Sequence, residues 1–397
     1  MKKLMVVSFI IVLFLARIQY PVASGVQTPP PAAPQKNTPV VIKAESPDGS
    51  YYELGYNHGK ALAAMEKDIA ANIKKFINTE RLYYNDMDPD YRISVLEKNL
   101  PARYKEEMRG FADSVDSLKN GGTITYKDIL FINLIGDVTR SRLMCSAAAV
   151  RANDGLWAGR NFDWKDGGTF HRFAGITLFK CGKKNAVSFG MTGVSSINTG
   201  MNKQGVFIAV LGAIQKKDAV FTGKDSVIFA IRYALEESST AKKAVDLLKK
   251  GEYPYSCIFL IADGKDAFFL EKSGKKSALI SLPSGKYSFI DSTNHFVKLK
   301  NDRKDEDSRI RYEDISDFLR LQKNKPGLQI MKNTLSLCTN REHPVYIKLT
   351  PERINKQATL MSIITKPGSG TVYIWFATGA PAPEKPDYTK MDLKKYF

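Results

Sequence analysis

The chain has 397 residues, 43% of them hydrophobic, a formal net charge of +18 and four cysteines. That length and apolar content exclude a mostly disordered chain, and four cysteines are too few for a disulfide-stapled scaffold. The positive charge is spread in short pairs such as Lys74-Lys75 and Lys249-Lys250, with no basic run and no nucleic-acid-binding motif, so no nucleic-acid partner is expected.

The N-terminus reads as an address. Lys2-Lys3 precedes an apolar run from Leu4 to Leu15, and Val22-Ala23-Ser24 offers a small-residue cleavage site. The run falls short of the ~20 residues that span a bilayer. Residues 1–24 are therefore expected to be a removable signal peptide, with the protein exported to the periplasm or beyond and no stable membrane span left after cleavage. A Pro-rich linker, Thr28-Pro29-Pro30-Pro31-Ala32-Ala33-Pro34, follows and is drawn over residues 25–44, the folded part starting near Val40.

Helical patterns dominate from Tyr56 to Val138. Asp88-Pro89-Asp90 and Pro101 punctuate them, and Thr125 to Asp128 looks like an N-terminal cap. Short strand-like runs dominate after Cys145: Leu156–Trp164, Ile176–Cys181, Val206–Leu211, Ile258–Ala262, Ala267–Leu270, Leu279–Leu282 and Tyr287–Asp291. Thr359–Ile364 and Thr371–Ala377 form a hairpin across Pro367-Gly368-Ser369-Gly370. Helices are expected at Ser226–Glu237, Thr240–Lys250, Ser308–Gln322 and Leu328–Leu337. Antiparallel sheets with helices packed on them follow from this order, an α+β fold.

Little in the chain points to metal or nucleotide chemistry. His58, His171, His295 and His343 are scattered, and no CxxC, HExxH, GxGxxG, P-loop or GxSxG motif is present. Cys145, in Met144-Cys145-Ser146-Ala147-Ala148-Ala149, would alone read as a buried core cysteine. Its context is richer. If Ser146–Val150 and Leu156–Trp164 pair across Asn153-Asp154-Gly155, Arg160 and Asp163 return close to Cys145. An arginine and an aspartate in so apolar a strand need partners, either as a buried ion pair that only holds the hairpin or for a chemical task.

Between Tyr51 and Pro383 a series of blocks runs in order: Tyr52 to Gly59, Tyr104 to Asp113, Asp128 to Leu130, Cys145 with Gly159 to Asp163, Gly200 to Val206, Ser292 to Phe296, Asp307 to Arg311, and Thr359 to Pro381. On these blocks the chain resembles the isopenicillin N acyltransferase-like (acyl-coenzyme A:6-aminopenicillanic acid acyltransferase) family of N-terminal nucleophile hydrolases, relatives of the choloylglycine hydrolases. Two departures stand out. Met144 occupies the place before the nucleophile where the family usually has glycine. Val210-Leu211-Gly212-Ala213 lacks the asparagine that completes the bile-salt enzymes' oxyanion hole.

The resemblance implies a four-layer αββα sandwich of two antiparallel sheets flanked by helices. It also implies self-cleavage between Met144 and Cys145, giving a helical chain from residues 45–144 and a second chain, 145–397, that begins at the nucleophile; the two stay associated as one domain. The free α-amine of Cys145 would then act as base for its own thiol. Asp163 would orient that amine, Arg160 would favour thiolate, Asn294 would donate to the oxyanion, and Arg311 would anchor the nucleophile loop or a substrate acid, with Arg309 as its fallback. The substrate would be a small acylated amine with a linear amide, hydrolysed or used for acyl transfer, and the chemistry needs no cofactor. Two alternatives remain: a phospholipase B-like or bile-salt-type hydrolase, and a non-catalytic envelope-binding protein. From the residues, Ser308 reads as a helix N-cap, and His58 and His295 as packing or turn residues. With Cys145 kept free, Cys181, Cys257 and Cys338 could form one disulfide at most.

Overall fold

The computed structural model describes residues 38–83, 88–118, 122–138, 144–164, 170–339, 359–378 and 386–397, all within one unit, Gln35–Phe397. The expected signal peptide and Pro29, Pro30, Pro31 and Pro34 of the linker lie outside them.

Two sheets carry the structure. The first has eight strands. In spatial order they are β1 (Val40–Ser46), β4 (Ala174–Cys181), β5 (Lys184–Met191), β6 (Thr199–Asn202), β7 (Phe207–Gly212), β8 (Cys257–Ala262), β9 (Ala267–Ser273) and β10 (Lys276–Ser281). The second has six: β11 (Ser288–Ser292), β2 (Ser146–Ala152), β3 (Gly155–Asp163), β12 (Thr359–Lys366), β13 (Thr371–Phe376) and β14 (Thr389–Asp392). One continuous apolar core joins residues of both, among them Ala147, Ala149 and Ile363 with Phe207, Leu260 and Phe269. A second, smaller core lies under α6 (Val227–Glu237) and α7 (Ala241–Lys249), which pack on the eight-stranded sheet. On the six-stranded sheet lie α8 (Glu306–Arg320) and α9 (Gly327–Thr339). The layers are thus helix, sheet, sheet, helix. Interior strands such as β3 and β8 are buried along almost their whole length, because both faces are covered.

The N-terminal helices are α1 (Tyr51–Met65), α2 (Ile69–Tyr83), α3 (Pro89–Asn99), α4 (Ala102–Ser117) and α5 (Tyr126–Val138). Proline sets two boundaries: Pro89 opens α3 after the Asp88 cap, and Pro101 separates α3 from α4. Thr125 and Asp128 exchange side-chain and backbone hydrogen bonds ahead of α5, as the capping pattern predicts. Helices α1 and α4 approach until backbones touch; a Cβ on Gly55 would sit 1.8 Å from the carbonyl oxygen of Glu107.

A buried charge cluster fastens these helices to the rest. Arg232 of α6 donates to Glu236 at 2.6 Å, and Tyr51 and Tyr104 each donate to Glu236 at 2.9 Å. Arg103 reaches Glu236 at 3.1 Å, and Glu107 lies 3.7 Å from Arg232. Among the described residues, no helix is long and apolar enough to cross a membrane.

Two expectations need correction. The linker does not extend to residue 44, because Val40–Ser46 forms β1. That strand pairs parallel with β4; the other strand pairs among the described residues are antiparallel, as expected. And β5, β6 and β14 join sheets without having been expected as strands.

Candidate active site

The site grows from the β2–β3 hairpin. Ala152 pairs with Gly155, whose positive φ of 118° suits glycine, and the ladder then places Ala147 opposite Arg160. Cys145 lies two residues before Ala147, so it shares a face with Arg160 as a diagonal cross-strand neighbour. Arg160 Nη2 donates to Cys145 Sγ at 2.8 Å. The guanidinium stacks 4.7 Å from the Phe162 ring, and its Nε donates to the carbonyl of Asn161. Both residues are wholly buried.

Asp163 closes β3. Beside it the register with β12 shifts, Thr359 facing Asp163 while Met361 faces Phe162. Such bulges re-aim side chains at sites. The Met144 amide donates to the Asp163 carbonyl at 3.1 Å, which pins the residue before Cys145. Burial pushes the Asp163 carboxyl up to about 6 against the pull of Thr359, Arg311 and Arg160. Its Oδ1 is buried with no hydrogen-bond partner among the described residues. Burial also pushes the Cys145 thiol up, and the Arg160 guanidinium opposes that most strongly.

Arg311, on the first turns of α8, completes the frame. Its Nη1 donates to the Cys145 carbonyl and to Ser146 Oγ, each at 2.9 Å, and its Nη2 donates to Asn294 Oδ1 at 2.9 Å. Asp307, one turn earlier, accepts from Nε at 3.0 Å. Asn294 follows β11, and its Nδ2 donates to the Gly212 carbonyl at 2.8 Å, which leaves one amide hydrogen uncommitted by that bond.

Cys145, Arg160, Asp163, Asn294 and Arg311 are therefore linked around one residue, although 166 positions separate Cys145 from Arg311. Arg309 is not the anchor; it lies on the exposed side of α8 beside Glu313. Ser308 is not the N-cap either. Asp305 caps α8, and Ser308 lies inside the helix, where its Oγ accepts the Asn294 amide at 2.7 Å and contacts Thr293 and His295 at 2.8 Å. It holds the Asn294 turn instead. His58 is buried against Phe111 and Phe179, and burial pushes its imidazole down to about 4. Cys181 and Cys257 are free; the Cys338 side chain lies outside the described residues. Among the described residues no group of three His, Cys, Asp or Glu side chains is arranged to hold a metal ion. Thr199 is the site residue that was missed: it accepts from Arg160 Nη1 at 2.7 Å. Its one signal in the sequence is its place directly before the Gly200 block.

The family described as acyl-coenzyme A:6-aminopenicillanic acid acyl-transferase matches residues 150–381. The chain belongs to this acyltransferase family. The matched stretch contains Arg160, Asp163, Asn294 and Arg311 and starts just past Cys145. The acyltransferase-family chain is 23% identical over 272 residues to a protein of Archaeoglobus fulgidus, covering 61% of this chain and 43% of that protein, so it spans under half that relative's length.

Among solved structures it is similar to a Caenorhabditis elegans N-acylethanolamine-hydrolyzing acid amidase ortholog, with TM-score 0.44 and 15% identity, covering 56% of this chain and 93% of that one. It is also similar to penicillin V acylase from Agrobacterium tumefaciens, with TM-score 0.42 and 16% identity over 63% and 86% of the two chains. A conjugated bile acid hydrolase from Clostridium perfringens gives 0.41 and 13% over 64% and 93%. Family membership stands beside a helix–sheet–sheet–helix layering, the four-layer αββα arrangement that the sequence resemblance implies.

Proposed function

We propose that this acyltransferase-family protein cleaves a linear amide, or transfers its acyl group, through Cys145 as an N-terminal nucleophile. The observation that carries the reading is the Arg160 guanidinium on the Cys145 sulfur at 2.8 Å, inside a wholly buried frame. A structural cysteine needs no cation on its sulfur; a nucleophile gains thiolate from one.

The first step is on the chain itself. The Cys145 thiolate attacks the Met144 carbonyl carbon, the C–N bond breaks, and the Cys145 nitrogen leaves as an amine after taking a proton. Water then hydrolyses the resulting thioester, freeing the Met144 carboxylate and the thiol. The new α-ammonium is a cation of the kind the unpartnered Asp163 Oδ1 suits. In turnover, the α-amine takes the thiol proton, the sulfur attacks the substrate amide carbonyl, and the proton passes to the leaving amine. Asn294 Nδ2, steadied by Arg311 and Gly212, donates to the oxyanion. Water or a second amine resolves the thioester. With residues 1–24 serving as a signal peptide, the reaction would take place outside the cytoplasm.

Intact mass and N-terminal sequencing of purified protein test the reading, alongside a panel of N-acyl amino acids, penicillins, acyl-homoserine lactones and conjugated bile acids. Two chains, one starting at Cys145, are expected, and Cys145→Ala should abolish both scission and turnover. Full activity in the alanine variant would sink the assignment.

A further inference from the structure

We propose that Thr199 is a positioning residue that holds the Arg160 guanidinium on the Cys145 sulfur from the opposite sheet. The inference rests on the nucleophile reading above and adds a residue to it. Cys145 and Arg160 belong to the hairpin of the six-stranded sheet, whereas Thr199 opens β6 of the eight-stranded one. Its Oγ1 accepts from Arg160 Nη1 at 2.7 Å while Nη2 of the same guanidinium donates to the sulfur at 2.8 Å. All three residues are wholly buried.

The guanidinium is planar, so fixing one of its ends fixes the other. Its Nε contact, to the neighbouring Asn161 carbonyl at 3.2 Å, is the longest of the three. Stacking on Phe162 sets the plane but not rotation within it. Thr199 supplies that missing restraint. Without its oxygen, a buried N–H loses its acceptor, and the planar group gains by turning toward another one. Any such turn lengthens the N–S distance, on which the stabilisation of thiolate depends.

The test is the pH dependence of Cys145 modification by methyl methanethiosulfonate, followed by peptide mass mapping so that the other cysteines are resolved. Thr199→Val removes the acceptor at nearly constant volume. Thr199→Ala removes it with loss of volume, and Thr199→Ser keeps it. The expected result is a midpoint moved to higher pH by about half to one pH unit in Val and Ala, with Ser within about 0.2 of the unsubstituted chain. Unchanged midpoints in Val and Ala would overturn the proposal. So would shifts that follow lost volume, with Ser displaced like Ala. If the valine variant does not fold, the alanine and serine variants decide. Because the readout is thiol chemistry and not turnover, a wrong substrate class leaves the test standing, whereas an inactive Cys145→Ala bears only on the nucleophile reading.

Discussion

Arg311 hydrogen-bonds the carbonyl oxygen of Cys145 at 2.9 Å and reaches it from a helix 166 residues further along the chain. The same side chain holds Ser146 Oγ and Asn294 Oδ1. On the proposed function, replacing it by methionine should slow scission and turnover together by about 100-fold or more, since Cys145 and Asn294 both lose their frame. Unfolding should become easier by about 3 kcal/mol, because three buried acceptors lose a charged donor. Denaturant titration and timed mass spectrometry of scission check the two parts.

Asp163 gives a pH prediction. Its carboxyl stands at about 6 in the folded chain, above its ordinary value near 3.9. The folded chain thus holds a proton that the unfolded chain has released. This contribution is full below about pH 3.9 and is lost as pH rises to about 6, a fall of about 3 kcal/mol. In a Cys145→Ala background that stays uncut, Asp163→Asn should flatten this slope in melting curves. On the proposed mechanism, Asp163→Asn in the unsubstituted Cys145 chain should lower turnover by about 100-fold, as the freed α-amine would lose its counter-charge.

Glu107 should act in the same direction from a different place. Burial pushes it up to about 7, with Arg232 pulling it down and Glu236 pushing it up. Arg232 is held much more closely by Glu236, at 2.6 Å. Stability from this group is full below about pH 4.3 and is lost as pH climbs to about 7. Glu107→Gln should raise the melting temperature at pH 8 and leave it nearly unchanged at pH 4. A lower melting temperature at pH 8 would show that the carboxylate is needed as a charge beside Arg232.

Two glycines test the helix contact. Gly55→Ala would drive a methyl to 1.8 Å from the Glu107 carbonyl oxygen, and Gly110→Ala to 2.0 Å from that of Tyr52. Each should cost about 3 kcal/mol, since backbone cannot step aside as a side chain can. Gly136 in α5 is the control. Its nearest neighbour would be Ile228 Cδ1 at 3.7 Å, so Gly136→Ala should stabilise by about 0.5–1 kcal/mol. Thermal unfolding of the three variants distinguishes them.

The β2–β3 hairpin was legible because its turn is short and the period of two then dictates which side chains meet. That alone brings Arg160 to Cys145. Asn294 and Arg311 carry no such local signal, and their place at the site could be read only from resemblance. Ser308 reads as a cap because a serine near a helix start resembles one, whereas the cap itself, Asp305, stands only three residues earlier. β1 carries no strand signal a local window can read, because its partner strand begins only at Ala174 and the prolines just before it argue against structure. Thr199 faces the site across the gap between sheets, a relation no pattern along one strand encodes.

The parallel pairing of Val40–Ser46 with Ala174–Cys181 also bears on when the proposed scission would have to happen. In one continuous polypeptide, closing that long loop costs only chain entropy, which grows slowly with length. In a polypeptide already severed before Cys145, the same seven-residue register would have to be found by two molecules meeting in solution, with the much larger penalty of lost translational freedom. Under the proposed scission before Cys145, folding comes first and the cut second. A severed pair that is denatured and diluted should then fail to recover what the newly made chain achieves unaided.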